Sequence, residues 1–294
     1  MSTAVRVPVT TVWTSPDARR GRDLPIAATT PDPVGWNENL LPDPPSALHG
    51  RTATQALLGE PVEVVGERAG WLEVILPWQP SSADPRGYPG WVPEAHIGDA
   101  VESDAPRVVV ASPTARVGPL ELSYGTVLPV AERDADRIRV RLPDGRAVAA
   151  PPTLVTLPET SETPDIDSLL GSAAQFIGLR YLWGGTSGWG FDCSGLVHLV
   201  HRRFGRTVPR DAFDQVDAVT PTDPSAAAFG DLYFFGSAGR VTHVGFTTNE
   251  PGTTQRILHA PDGDAAELVE ETPLSDARRA KLVAAGTFLP RPDR

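Results

Sequence analysis

Residues 181–205 read YLWGGTSGWGFDCSGLVHLVHRRFG and carry the strongest structural signal of the chain. Cys193, in the middle of this stretch, is the single cysteine of the 294 residues, so it cannot form an internal disulfide. Apolar residues recur at helical spacing from Cys193 to Phe204, which predicts a helix that begins at the thiol. A thiol at a helix N-terminus lies at the positive end of the helix dipole, which favours the reactive thiolate. The stretch therefore indicates a nucleophilic cysteine.

The composition is typical of a globular protein of two or three domains. Hydrophobic residues make up 40% and charged residues 21%, and the formal net charge is -11. Such an acidic chain is a poor partner for nucleic acid or an anionic membrane surface. No apolar signal-peptide core begins the chain, and no window is long enough to span a membrane. We therefore expect a cytoplasmic protein with a reduced thiol and with no nucleic-acid or membrane partner.

The first half of the chain consists of short strand-like runs broken by turn residues. Residues 1–103 hold five runs in which Val, Ile and Leu alternate with polar residues, and residues 104–158 repeat the theme with an Asp-Gly hairpin signal at 144–145. This texture predicts two small β-barrels. A long loop, rich in Pro, Gly and Asn, is predicted at 29–50, and it is left open whether this loop is a pocket wall or a disordered insertion.

The pattern changes after a linker-like stretch at 157–165. Helical spacing follows up to Gly178, then comes the helix at Cys193, and strand-like runs occupy 231–235, 240–248 and 255–260. Helices first and strands second predict an α+β domain over residues 159–294. The whole chain is therefore predicted to be a multidomain α+β protein.

A cysteine nucleophile needs a base and a group that orients the base. His198 and His201 lie on the predicted helix of Cys193, but the helical geometry turns His198 about 140° away and carries His201 roughly 12 Å along the axis. We predict that both are surface or groove residues without a catalytic role.

Two histidines in the strand-like runs are better candidates. In VTHVGF, alternation puts His243 and Gly245 on one face, and a glycine there leaves space for another group to approach. His259 ends the next run and comes beside His243 if the two runs form a hairpin. Cys193, His243 and His259 then make a nucleophile, a base and an orienting residue, against the alternative that both histidines are ordinary core or edge residues.

Other chemistries fit less well. Zinc could bind one cysteine and two histidines, but these are 50 and 16 residues apart, and CxxC, HxH and HExxH are absent. The glycines of WGGTSGWG form neither a phosphate-binding loop nor a dinucleotide fingerprint, and they more simply permit tight turns beside the thiol. We therefore predict neither a metal site nor a cofactor.

Five segments resemble, in order, the NlpC-type cell-wall peptidases, which have a papain-like fold. They are YLWGGTSGWGFDCSGLV, VPRDAFDQ, GDLYFF, THVGF and LHA, and the resemblance covers roughly residues 165–290. It implies that Cys193 is the nucleophile, His243 the base and His259 the orienting residue. It also implies that Tyr181 stabilises the oxyanion together with the backbone N–H of Cys193, against the alternative that Tyr181 only packs under the site.

One branch of this family carries N-terminal bacterial SH3-like domains and cuts the γ-D-glutamyl bond to a diamino acid in stem peptides with a free N-terminal L-Ala. ALLGEPVEVVGERAGWLEV and GYPGWVP resemble that branch. The usual PR followed by Ser or Thr is here PRDA, with Asp211 eighteen residues after Cys193 (211 − 193). The resemblance implies that Asp211 and Ser194 contact the substrate's ammonium group, for which a carboxylate is a suitable counter-charge.

Further candidates to bind the substrate lie near the thiol and in the first barrel. They are Trp183, Asp192, Tyr88 and Glu60; for the last two the alternatives are an ordinary barrel tyrosine and a turn carboxylate. Arg210 is expected to be a structural ion-pair partner.

The main hypothesis is therefore a cysteine endopeptidase that recycles released cell-wall stem peptides in the cytoplasm. Two alternatives stay open: an exported hydrolase of intact wall, and a wall-peptide-binding protein whose catalytic domain is vestigial. The sequence does not decide between diaminopimelate and lysine, nor does it fix the oligomeric state.

Overall fold

A computed structural model of the protein describes residues 2–101, 103–134, 137–158, 163–237, 239–261 and 268–290. The chain packs as two compact units. Unit 1 contains residues 1–157 and 182–189, and unit 2 contains residues 158–181 and 190–294. The predicted linker at 157–165 lies partly outside the described residues, which omit 159–162. The three predicted domain boundaries stay predictions.

The first sheet of unit 1 has seven strands in the order β3-β2-β6-β5-β4-β1-β7. Their bounds are β1 Thr3–Val5, β2 Val9–Trp13, β3 Thr52–Leu57, β4 Pro61–Arg68, β5 Trp71–Leu76, β6 Tyr88–Pro93 and β7 Ile97–Asp99. The alternating apolar side chains of these strands form one core with Val5, Val12, Val74 and Val92 at its centre. A 3-10 turn at Glu94–His96 connects the last two strands.

The stretch at 29–50 is ordered, so the prediction of a long loop there was wrong. It contains helix α2, Pro33–Leu40, and a 3-10 turn, Pro45–Leu48. The elements that precede the stretch are two 3-10 turns, Pro16–Ala18 and Gly21–Asp23, and helix α1, Leu24–Ala27. Asp32 caps α2, because its Oδ1 accepts a hydrogen bond from the backbone N–H of Gly35 at 2.9 Å. Trp36 is buried and fixes this helix in unit 1.

The second sheet of unit 1 has five strands in the order β13-β12-β11-β8-β14, and a separate two-stranded ribbon pairs β10 with β9. Their bounds are β8 Arg107–Val110, β9 Thr114–Val117, β10 Leu120–Ser123, β11 Val127–Arg133, β12 Ile138–Arg141, β13 Ala147–Ala149 and β14 Leu154–Thr156. These strands enclose a second hydrophobic core. The Asp-Gly hairpin predicted at 144–145 joins β12 to β13, with Gly145 at φ 83°. Short strand β15, Thr186–Ser187, completes the unit.

Unit 2 is the predicted mixture of helices and an antiparallel sheet. Its helices are α3 Ile166–Ala174, α4 Cys193–Arg203, α5 Ala212–Ala218 and α6 Asp276–Arg279. Its strands are β16 Gly190–Phe191, β17 Thr220–Thr222, β18 Leu232–Ser237, β19 Arg240–Thr247, β20 Arg256–His259, β21 Glu270–Pro273 and β22 Leu282–Thr287. Six of them form one sheet, in the order β17-β22-β18-β19-β20-β21.

Helices α4 and α5 pack on β19, the strand at the middle of this sheet. The predicted helix starting at Cys193 and the three predicted strands are therefore confirmed, and the arrangement brings the thiol's helix against the strand that carries His243. Within the described part of the chain, every helix is too short or too polar to cross a membrane.

Candidate active site

Cys193 is the first residue of α4, as the sequence predicts. Asp192 is the N-cap of this helix, and its Oδ1 accepts a hydrogen bond from the backbone N–H of Gly195 at 2.7 Å. The side chain of Cys193 is buried, with 6% of its surface exposed. The thiol thus lies at the positive end of a helix of eleven residues, where a thiolate and a developing oxyanion are both stabilised.

Arg210 neutralises the carboxylate beside the thiol. Its fully buried guanidinium donates from Nη2 to Asp192 Oδ2 at 2.6 Å and from Nη1 to Asp192 Oδ1 at 3.0 Å. This fork-to-fork geometry is the strong form of an ion pair. Arg210 is therefore the ion-pair partner that the sequence predicted. Because the pair has no net charge, Asp192 can cap the helix without repelling a neighbouring thiolate.

Ser194 and Asp211 share the same guanidinium. Arg210 Nη1 donates to Ser194 Oγ at 3.0 Å and lies 3.8 Å from Asp211 Oδ1. Asp211 precedes α5, but its side chain makes no capping hydrogen bond to that helix. With 20% of its surface exposed, the carboxylate of Asp211 can reach solvent or a ligand. The structure therefore gathers both predicted ammonium-binding residues around Arg210, and their role stays a prediction.

His243 and His259 meet on the sheet. His243 Nε2 lies 2.7 Å from His259 Nδ1, a hydrogen-bond distance, and the two rings are nearly perpendicular. The strands β19 and β20 are antiparallel neighbours, in which Phe246 pairs with Leu258. The predicted hairpin pairing of the two histidines is therefore present.

Gly245 makes this approach possible. A Cβ atom at Gly245 would lie 2.7 Å from the Cβ of His259 and 2.6 Å from the Cδ1 of Ile257. Contacts this short do not occur between real side chains, so any other residue here would displace β20. The predicted role of the glycine, to leave space beside His243, agrees with this geometry.

Burial keeps both imidazoles neutral. Desolvation lowers the pKa of His243 well below its ordinary value, and His259 and Arg278 lower it further. Desolvation, with a smaller contribution from Arg278, lowers the pKa of His259 to about 3. A neutral imidazole can accept a proton, so at neutral pH this pair is in the form that a general base requires.

His198 and His201 are buried, so the prediction that they are surface or groove residues was wrong. His198 Nδ1 donates to the carbonyl of Val208 at 2.8 Å, and its Nε2 accepts from Arg202 Nη2 at 2.9 Å. His201 Nδ1 donates to the carbonyl of Val197 at 2.9 Å. Both rings have hydrogen-bond partners within unit 2, and the prediction that neither is catalytic stays a prediction.

The sequence profile of the NlpC/P60 family matches residues 178–277, and that of the bacterial dipeptidyl-peptidase SH3 domain matches residues 45–97. A γ-D-glutamyl-L-lysine dipeptidyl-peptidase from Bacillus cereus is 34% identical over 291 residues, which cover 92% of this chain and 86% of that protein. The chain belongs to the NlpC/P60 family. It is therefore a cysteine peptidase with an SH3-like N-terminal region.

Two further relatives of this NlpC/P60 peptidase have similar length. A γ-D-glutamyl-L-lysine dipeptidyl-peptidase from Bacillus subtilis is 33% identical, over 90% of this chain and 92% of that protein. The crystal structure of an NlpC/P60 family protein from Bacillus cereus superimposes with a TM-score of 0.90 at 32% identity, over 99% of this chain and 100% of that one. The similarity thus includes the N-terminal region as well as the peptidase domain.

Tyr181 lies close in the fold to the start of the nucleophile helix. Its backbone forms a parallel bridge with Phe191, two residues before Cys193, and its side chain is buried. This placement suits the predicted oxyanion role, which stays a prediction.

The other predicted substrate-binding residues of the peptidase, Trp183, Tyr88 and Glu60, belong to unit 1. The ring of Trp183 packs on His49 at 3.8 Å between centroids, and Tyr88 packs against the first core. Glu60 is buried, and its carboxylate accepts hydrogen bonds from the Leu57 N–H at 2.9 Å and from Gln79 Nε2 at 3.2 Å. These contacts give Glu60 a structural role within the sheet.

Two charged residues near the histidine pair were not predicted. Arg278, on α6, lies over the ring of Phe235 at 5.6 Å and lowers the pKa of both histidines. Glu270, on β21, pairs with His259 across the strands. Among the described residues, no cluster of three or more His, Cys, Asp or Glu side chains is arranged to hold a metal ion.

Proposed function

We propose that this chain is a cysteine endopeptidase that hydrolyses the γ-D-glutamyl bond to an L-diamino acid in bacterial cell-wall stem peptides with a free N-terminal L-Ala. The observation that carries the proposal is the 2.7 Å hydrogen bond between His243 and His259 on the sheet that packs on the helix of Cys193. The names of the two full-length relatives, both γ-D-glutamyl-L-lysine dipeptidyl-peptidases, support the bond class.

In this proposal, the sulfur of Cys193 attacks the γ-glutamyl carbonyl, and the backbone N–H of Cys193 with the hydroxyl of Tyr181 stabilises the oxyanion. His243 Nε2 is engaged by His259, so Nδ1 is the nitrogen that exchanges the proton with the thiol. His243 then protonates the leaving amine, and it activates the water that hydrolyses the acyl-enzyme. His259 holds the ring of His243 in the required tautomer. No metal or cofactor takes part.

The ammonium group of the N-terminal L-Ala would bind between Asp211 and Ser194. The partly exposed carboxylate of Asp211 supports this site, and Nη1 of Arg210 lies near the side chains of both residues. A blocked amine would bring an uncharged group against the carboxylate of Asp211 in place of the ammonium group, and losing one partner of a buried pair costs roughly 3–5 kcal/mol. The pocket would therefore select short stem peptides, and Asp192 would shape it through its ion pair.

We also assign the N-terminal region to two SH3-like barrels, residues 1–103 and 104–158, each with its own sheet and core. Trp183, Tyr88 and Glu60 stay candidate substrate-binding residues, to be tested by substitution. The buried hydrogen bonds of Glu60 support an indirect effect through the shape of the barrel.

A substrate with a free L-Ala is a released peptide, so the proposed role is recycling of stem peptides in the cytoplasm. The formal net charge of -11 agrees with this role, because an acidic protein does not adhere to anionic wall polymers. Cell fractionation with an antibody against the chain tests this assignment. Recovery in the culture medium or on the wall would instead favour an exported hydrolase.

The test of the function is mass-spectrometric turnover of L-Ala-γ-D-Glu-meso-diaminopimelate and of its L-Lys analogue. The wild type is expected to release L-Ala-D-Glu, and Cys193→Ala to release none. The N-acetylated tripeptide is the matched control for the amine, and we expect its cleavage to be at least about a hundredfold slower. Equal cleavage of the free and acetylated peptides would overturn the ammonium site. Binding of both tripeptides without release by the wild type would overturn the proposed activity.

A further inference from the structure

The second ring nitrogen of His259 faces a carboxylate. His259 and Glu270 are direct partners across the antiparallel strands β20 and β21. Glu270 Oε1 lies 3.6 Å from His259 Nε2. The side chain of His259 is completely buried, whereas that of Glu270 is 40% exposed. A partly exposed carboxylate therefore lies beside the buried Nε2 atom of His259.

The proton positions in the pair make this contact significant. For His243 to accept the thiol proton at Nδ1, its own proton must be on Nε2, and that N–H must donate to His259 Nδ1. His259 must then carry its proton on Nε2, the atom that faces Glu270. In the opposite tautomer, His259 Nδ1–H would donate to His243 and leave Nδ1 of His243 protonated and unable to act as a base.

The carboxylate of Glu270 also affects the stability of the positive charge that forms on the histidine pair. When His243 takes the proton it becomes an imidazolium in a site where burial and Arg278 both disfavour a positive charge. Arg278 from α6 lowers the pKa of both histidines, and the carboxylate of Glu270 from β21 lies 3.6 Å from His259 Nε2. The thiol of Cys193 begins α4, which packs on β19. The negative charge of Glu270 therefore opposes the effect of Arg278 on the pair.

We propose that Glu270 is a positioning residue of the peptidase: its carboxylate holds His259 in the Nε2–H tautomer and stabilises the imidazolium that forms during catalysis. The inference rests on the proposed roles of Cys193, His243 and His259. Glu270 does not touch the substrate in this account, and it acts only through His259.

Glu270→Gln tests the proposal, because it keeps the shape of the side chain and removes the charge. The matched control is Glu271→Gln, on the next residue of the same strand, where the carboxylate instead pairs with Arg256 at 3.1 Å. We expect kcat/KM for the tripeptide to fall about tenfold in Glu270→Gln, in line with the loss of groups that orient catalytic histidines, and to be unchanged in Glu271→Gln. Glu270→Asp, which retains the charge, is expected to recover part of the activity.

The pH profile separates this role from a merely structural one. Without the carboxylate, the protonated form of the histidine pair is less stable. The limb of the pH profile of kcat/KM that reflects protonation of these histidines should therefore move to lower pH, by up to about one unit. Glu270→Asp should leave the limb near its wild-type position. An unmoved limb and an unchanged kcat/KM in Glu270→Gln, with a wild type that cleaves the peptide, would overturn the inference.

A measurement without turnover keeps the two proposals distinguishable. Nuclear magnetic resonance of ring-labelled histidine should show His259 protonated at Nε2 in the wild type and a mixture of tautomers in Glu270→Gln. If the wild type cleaves neither tripeptide, the proposed function fails, and this spectrum still decides whether Glu270 sets the tautomer. An Nδ1–H tautomer of His259 in the wild type would contradict the inference directly.

Discussion

Unit 2 contains two pairs of buried histidines that differ in their partners. His198 and His201 lie on α4, the helix of the nucleophile, and His243 and His259 lie on the sheet that packs against it. Desolvation is the largest cause of a lowered pKa in all four. Burial and a lowered pKa therefore do not distinguish the proposed catalytic pair from the helix pair.

The hydrogen-bond partners do distinguish them. The helix histidines donate to backbone carbonyls, which cannot change their protonation, and His198 also accepts from the permanently charged Arg202. The sheet histidines bond to each other, so each has a partner that can exist in two tautomers. In the sheet pair, His259 can fix the tautomer in which Nδ1 of His243 accepts a proton, whereas Arg202 already donates to Nε2 of His198 and the ring of His201 packs against Phe246 and Phe288.

The largest effect short of removing the nucleophile or its base should follow from breaking the sheet pair. His259→Ala removes the acceptor that fixes the tautomer of His243, so kcat/KM should fall by about 100- to 10,000-fold. His259→Asn, whose side-chain oxygen can still accept from His243 Nε2, should retain more activity. Steady-state kinetics on the tripeptide give the comparison, and activity of His259→Ala near the wild-type value would exclude the orienting role.

A smaller loss should follow from moving the pair without removing either ring. Gly245→Ala places a Cβ 2.7 Å from that of His259, so β20 must shift and the hydrogen bond between the histidines must lengthen. We expect about a tenfold loss in kcat/KM, together with a lower melting temperature. Gly171→Ala, in α3 with nothing within 4 Å of the new methyl group, is the matched control and should keep activity and slightly raise stability. Equal behaviour of the two variants would refute the close approach.

Substitution in the helix pair should change the free energy of unfolding and leave the catalytic rate unchanged. The pKa of His201 is about 4 in the folded chain against 6.5 for the free group, so between these pH values the unfolded chain binds the extra proton. The free energy of unfolding should therefore fall as the pH drops from about 6.5 to about 4, and His201 should contribute on the order of 3 kcal/mol to this fall. In His201→Phe, urea unfolding at several pH values should show a flatter dependence. An identical pH dependence in both proteins would contradict the assignment.

The smallest effect concerns the cation near the sheet pair. Arg278 lowers the pKa of His243 and His259, so Arg278→Met should raise both and move the histidine limb of kcat/KM to higher pH by a few tenths of a unit. This is opposite to the shift expected for Glu270→Gln. Arg279→Met is the control, because Arg279 instead donates to Gln255 Oε1 at 2.5 Å. A shift to lower pH in Arg278→Met would exclude the electrostatic explanation.

The sequence was sufficient to predict the features that depend on local pattern. The helical spacing of apolar residues places the start of α4 at Cys193, and strand alternation with Gly245 places His243 on a face with space beside it. These signals lie within a few residues of the atoms concerned, so they can be recognised without knowing which distant segments pack together.

Other features depend on contacts between distant segments. The polar residues of α4 indicated an exposed face, but Arg202 and the carbonyl of Val208 satisfy His198, and Phe246 and Phe288 pack against the ring of His201. Glu270 follows a connection of ten residues after His259 (260–269), so spacing could not fix its register.

Helix α2 was missed for a different reason. Its start signal, Asp32 followed by Pro33, is local, but it lies among turn-forming residues that outweighed it. The start of α2 therefore depends on the capping residue Asp32, whose signal is weak compared with that of the turn-forming residues around it.

The most direct test of the account compares kcat/KM for L-Ala-γ-D-Glu-meso-diaminopimelate in His243→Gln and His201→Phe at a temperature where both remain folded. The account predicts a loss of about a thousandfold or more in His243→Gln with little change in melting temperature, since a general base is removed. It predicts a kcat/KM close to that of the wild type in His201→Phe. Comparable losses in the two variants, or a larger loss in His201→Phe, would contradict the claim that the sheet pair is catalytic and the helix pair structural.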